Sequence, residues 1–217
     1  MISVRLEPES GIRRIDLTIA NLKAGHEAFR LREPRDTMYR LSTRLVEESW
    51  LKQSHLVDAL SVLLLTWNSA YYRYGPIDEA ALERCLTENW TMIDSIRLRH
   101  ITGWEERDRE LVHHLFGVLN VALAAERKDG KRTNAAVSTA KVLHLLAPKF
   151  LPLWDARIAK AYGCDYSRNP AERYLDFCAE ALRQVRLLEP DLEPEMRDRI
   201  LKYIDEYNYC HFTYKWI

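Results

Sequence analysis

The stretch SHLVDALSVLLLTWNSAYYRY, residues 54–74, decides the fold. Val57, Leu60, Leu64, Trp67, Tyr71 and Tyr74 recur at steps of three and four. That spacing stacks side chains on one face of an α-helix. Leu56, Ala59, Val62, Leu63 and Leu65 put apolar groups on the other faces, and a helix apolar nearly all round belongs in the middle of a core. Ser54 stands where a cap is needed and Gly75-Pro76 where a stop is needed. The spacing predicts a central helix over 54–74.

The same period recurs on both sides. Ile12, Ile15, Ile19 and Leu22 share a face, as do Met38, Leu41 and Leu45. Further helices are expected at 78–89, 91–101 and 108–127, the last striped by Leu111, Leu115, Val118 and Ala122 and ended by Asp129-Gly130. Another runs over 134–146 to Pro148, and one from about Asp155 to Gly163. Asn169-Pro170-Ala171-Glu172 supplies a capping residue, a first-turn proline and an acid for a helix carrying Tyr174, Phe177, Cys178, Ala181 and Val185. A final helix starts at Pro194 and uses Ile200, Leu201 and Ile204. Only Ile2, Val4 and Leu6 alternate with polar residues, which permits a short strand or an extended arm. No βαβ unit, internal repeat or low-complexity linker interrupts the series. The expectation is one all-α domain over 1–217.

Composition agrees. Of 217 residues, 47% are hydrophobic and 29% charged, as in a folded globular chain, and 7 Gly with 8 Pro are too few for a β-sandwich. Thirty-two basic and 32 acidic residues give zero formal charge. This argues against a histone-like role, since phosphate neutralisation dominates non-specific affinity, but leaves room for a local basic patch. Cys85, Cys164, Cys178 and Cys210 are too scattered for an iron–sulfur or zinc site and read as reduced core thiols. His113-His114 lacks acids at metal-ligand spacing, and neither a nucleotide-binding glycine loop nor a nucleophile elbow occurs. No metal or cofactor is expected. Without a secretory leader or an apolar run long enough to span a bilayer, the expected location is the cytoplasm.

Asp155 is the leading candidate for chemistry. In APKFLPLWDARIAKAYG, residues 147–163, it follows an apolar approach and stands where a helix begins. One reading is an N-cap carboxylate satisfying free amides; the other is a catalytic carboxylate stabilising positive charge or activating water. The two are compatible, because a capping side chain is held rigidly.

The wider segment NAAVSTAKVLHLLAPKFLPLWDARIAKAYG, residues 134–163, resembles the second hairpin helix, connecting loop and catalytic-aspartate region of the helix-hairpin-helix DNA glycosylases. That superfamily includes endonuclease III and the 8-oxoguanine glycosylases. Ser138-Thr139-Ala140 is similar to the family's Lys-Thr-Ala-like helix start, and Leu153 to Ile158 to its aspartate segment. VLLLTWNSAYY, residues 62–72, looks like the family's early helix, on which Asn68 falls where a polar side chain enters the duplex. The resemblance spans about residues 56–163. It implies a glycosylase-like core there, with N- and C-terminal helices forming a second lobe across a cleft.

It further implies a DNA partner and removal or recognition of a flipped base, water-assisted through Asp155. Two departures are plain. Thr133-Asn134-Ala135-Ala136 lacks the hairpin glycines, and Ser138 replaces the family's Schiff-base lysine, with Lys141 one turn later. Arg127, Lys128, Lys131 and Arg132 cluster before the hairpin, where phosphate contacts are expected. They also read as solvated loop charges, as do Arg97, Arg99 and His100.

Trp67, Tyr71, Tyr72 and Tyr74 suit either a base-stacking wall or the core, with the core favoured for Trp67 and Tyr71. The terminal TYKWI is aromatic enough to dock on the body. Two other functions stay open. One is a catalytically inactive nucleic-acid-binding relative, the other a helical protein-interaction domain or homo-oligomer.

Overall fold

The computed structural model describes residues 11–72, 75–125 and 133–217, and every regular element in them is helical. In chain order these are α1 (Ile19–Arg32), α2 (Asp36–Ser49), α3 (Gln53–Trp67), α4 (Ser69–Tyr72), α5 (Glu79–Glu88) and α6 (Trp90–Ile96). Then come α7 (Arg107–Ala122), α8 (Ala136–Leu146), α9 (Ala156–Tyr162), α10 (Pro170–Leu188), α11 (Pro194–Asp198) and α12 (Ile200–Asn208). Short 3-10 turns stand at Ile101–Gly103 and Glu189–Asp191, and a π-type turn, Tyr209–Tyr214, follows α12. No described helix is long and apolar enough to cross a membrane.

The centre of the core is α8. Ala136, Ser138 and every residue from Thr139 to Leu146 are buried, because α2, α3, α7 and α10 surround this helix. The segment over 54–74 is a flank instead: Leu56, Leu60, Leu63 and Leu64 are sealed while Leu65 is half exposed. Nor is it one helix. α3 begins after Lys52 with no side-chain cap, so Ser54 does not cap it, and it ends at Asn68 (φ −130°, ψ 26°). There the chain breaks into the single turn of α4. Apolar periodicity continues across such a break because both sides face the same interior, so the pattern alone hides it. Tyr74 lies outside the described residues, as do Ile2, Val4 and Leu6.

Other boundaries shift for local reasons. Asn169 precedes Pro170 in the left-handed region (φ 50°) and makes no side-chain cap. The last helix breaks at Arg199 (φ −121°), which separates α11 from α12. The helix expected over 91–101 stops at Ile96, and α7 stops at Ala122. By contrast α9 runs as its sequence indicates, from the Asp155 cap to Gly163 at φ 74°.

The chain's two ends clasp each other. α1 packs along α12 with Gly25 against the Tyr207 backbone: a Cβ at Gly25 would lie 2.5 Å from Tyr207 Cα. The TYKWI tail docks as its composition suggests, with the Tyr214 and Trp216 rings against Tyr209 and the Arg32 guanidinium over Trp216. This clasp brings α12 and the terminal turn opposite α3, α8 and α9, and the space between them is the site.

Candidate functional site

A cavity of about 510 Å³ opens between these elements. Its walls include Trp67 and Asn68 from the end of α3, Tyr71 from α4, Ser138 and Lys141 from α8, and Asp155 before α9. Facing them are Glu33 and Arg35 between α1 and α2, Asp205 on α12, and Tyr209, Thr213 and Tyr214 from the last turn. Residues singled out from two separate stretches of sequence, 62–72 and 134–163, therefore share one space.

Asp155 caps α9: its Oδ1 accepts from Ile158 N at 2.7 Å. Oδ2 accepts from Thr213 Oγ1 at 3.1 Å, and the Arg157 guanidinium holds the Thr213 carbonyl. The carboxylate is thus oriented by two donors, without an ion pair among the described residues, and remains partly exposed to the cavity. Asp155 is therefore an N-cap whose side chain also borders open space.

Lys141 reaches the same cavity. Its ammonium is almost wholly enclosed and donates to Trp67 O at 2.7 Å, a carbonyl left free by the end of α3. Burial pushes this amine down to about 8, with Asp155 and Asp205 pulling it back up and Arg35 pushing it further down. An amine so placed is partly neutral near physiological pH, which a nucleophile requires.

Ser138 is fully buried and accepts Asn68 Nδ2 at 2.6 Å. The Tyr72 hydroxyl also lies beside Ser138, and the Asn68 amide is turned inward on Ser138. Asn68 and Ser138 both line the cavity. Arg127, Lys128, Lys131 and Arg132 lie outside the described residues. The smaller basic group is committed to structure. Arg99 pairs with Asp108 at 2.6 Å and covers Phe150, Arg97 lies over Trp50, and His100 bonds Thr102 and the Arg197 carbonyl. Trp67 and Tyr71 are partly exposed lining residues as well as core contacts. His113 and His114 contact Glu172 and Asn89, and no group of three potential metal ligands occurs among the described residues. The four cysteines are free and buried.

The opposite wall was not singled out by sequence. Glu33 accepts Nε and Nη2 of Arg35, both at 2.7 Å, and the Tyr209 hydroxyl at 2.6 Å. Burial opposes ionisation there, but these hydrogen bonds outweigh it and hold the carboxyl below the usual range. Below it, Lys202 Nζ sits 4.1, 4.8 and 5.2 Å from the rings of Phe29, Tyr39 and Trp67, paired to Asp205 at 3.2 Å and Glu206 at 3.4 Å. Burial pushes Asp205 up to about 6 against the pull of Lys202. A signal existed: Lys202, Asp205 and Glu206 interrupt the apolar run Ile200, Leu201, Ile204, and charges on a core-facing stripe call for a partner or a role.

No known protein family, no curated protein and no solved structure matches this chain.

Proposed function

We propose that this protein is a DNA glycosylase-like hydrolase acting on a flipped nucleotide, with Asp155 as the carboxylate that faces the sugar. The observation that carries the reading is the meeting of Asp155 and Lys141 in a cavity bordered by aromatic rings. At about 510 Å³ the space is of the size that takes small ligands, roughly 300–1,000 Å³. Trp67, Tyr71 and Tyr166 supply flat walls of the kind an extruded base stacks on. With a base between them and C1′ toward Asp155, the carboxylate stabilises the oxocarbenium-like sugar as the base leaves, and water adds at C1′. Lys141, one turn beyond the position where the resembling family carries its lysine, is the amine available for an imine with the opened sugar.

The test is abasic-site formation, revealed by alkaline strand cleavage, on oligonucleotides carrying a panel of damaged or modified bases. Base release is expected, and Asp155→Asn should slow it by about 100-fold or more, the range for a positioned acid or base. Release by Asp155→Asn at the wild-type rate would remove Asp155 from the mechanism. Duplex binding without release of any base would select the non-catalytic relative, and no retention of DNA would select a helical interaction domain.

A further inference from the structure

The cavity holds a second carboxylate whose surroundings differ from those of Asp155 in a useful way. Asp155 has both oxygens engaged, one by its own helix and one by Thr213. Asp205, nearly sealed from solvent yet lining the same cavity, has Oδ2 on Lys202. Its Oδ1 accepts no hydrogen bond among the described residues. One carboxylate is held as an acceptor, and the other keeps an oxygen free for a proton. Two acids in one site with divergent environments divide the work of acid and base. We propose that Asp205 is the general acid that protonates the base as it departs. This inference rests on the glycosylase reading.

As the C1′–N bond breaks, its electron pair goes to the base, and the Asp205 carboxyl proton passes to that base. Asp155 faces the sugar cation; water adds at C1′ and gives its proton to Asp155. Exchange with solvent then returns Asp155 to carboxylate and Asp205 to acid, and the net reaction consumes one water.

The charged and titratable groups around Asp205 are Lys202 and Glu206 on α12, Lys141 on α8, Asp155 ahead of α9, Tyr39 on α2 and the Cys210 thiol in the terminal turn. Burial outweighs the pull of Lys202, so the proton is retained up to about pH 6.

Leaving-group chemistry provides the discriminating experiment. A neutral base needs a proton to leave, whereas 7-methylguanine is already cationic on the sugar and leaves without one. Release of 7-methylguanine and of a neutral damaged base drawn from the panel is followed from pH 5 to 9. The wild-type preference for 7-methylguanine should climb about tenfold per pH unit above about pH 6. Asp205→Asn should slow the neutral base by about 100-fold while changing 7-methylguanine release by less than about threefold. Equal slowing of both bases would make Asp205 structural and overturn the proposal. So would a preference that breaks near pH 8 and is unaffected by the substitution, which would move the acid to Lys141. The wild-type pH profile decides the matter even if Asp205→Asn does not fold. Absence of base release from any substrate would defeat the glycosylase reading itself, a result distinct from wild-type release with no pH-dependent preference.

Discussion

A buried amine with a carbonyl as its direct partner is an expensive thing for a small protein to keep. Lys141 sits at about 8 in the fold against 10.5 for a free side chain, so the unfolded chain binds the extra proton between those values. Its cost to stability is therefore full below pH 8 and vanishes as pH rises through 10.5. Two and a half pH units correspond to about 3 kcal/mol. Replacing Lys141 by Met removes that cost and loses the hydrogen bond to Trp67 O, worth about 1 kcal/mol. Lys141→Met should accordingly be more stable than wild type by about 2 kcal/mol at pH 7, with the difference shrinking by pH 10. Urea denaturation at the two pH values checks this. If Lys141 forms the proposed imine, borohydride should trap a covalent adduct of the wild type with abasic DNA, and the same variant should lose it. A variant less stable than wild type at pH 7 would mean the amine is not paying for its burial. This residue is legible in part: its place one turn after Ser138 is plain in the sequence, while its enclosure depends on where α3 ends.

At the scale of elements, sequence reads best where a boundary has local chemistry. α9 has an aspartate at one end and a left-handed glycine at the other, and both act as their types suggest. The break between α3 and α4 has neither, and Asn68 ends the helix inside an unbroken apolar pattern. The contact of α1 with α12 is less legible still, because the reason for Gly25 is Tyr207 on a helix at the far end of the chain. Gly25→Ala would place a Cβ 2.5 Å from Tyr207 Cα and 2.8 Å from its Cβ, so the two helices must separate. A loss of about 1–3 kcal/mol is expected. Gly117→Ala, within α7 and with nothing inside 4 Å of the new Cβ, should instead gain about 0.5–1 kcal/mol from helix propensity. Thermal melts of the two variants test the assignment as a pair. Shifts of the same sign would show that Gly25 is not at a close approach.

For the whole molecule, the half of the site that comes from residues 134–163 was readable because its parts are neighbours in sequence. Glu33, Arg35 and Tyr209 were not, since only the clasp of the two chain ends brings them across from α8, and Asp205 showed only as a charge on an apolar stripe. That same centrality makes one histidine a global titration point. His144 is fully buried in α8; its Nδ1–H donates to Leu151 O at 2.7 Å and its Nε2 accepts the Tyr39 hydroxyl at 2.9 Å. Burial pushes it down to about 3 from 6.5. A histidine held neutral contributes stability that is complete above pH 6.5 and is lost as pH falls toward 3, because the unfolded chain takes up the proton first. Asp205 has the opposite sign: its folded value of about 6 exceeds the free 3.8, so protonation relieves a cost between those values. The two effects offset each other over pH 6 to 4, and the wild-type curve alone conceals both. His144→Gln keeps a donor and an acceptor at the position but cannot ionise. Between pH 6.5 and 4 the wild type should therefore lose up to about 1.4 kcal/mol per pH unit relative to His144→Gln. Chemical denaturation across that range measures the difference, and parallel curves would show that the imidazole is not held neutral at the centre of the fold.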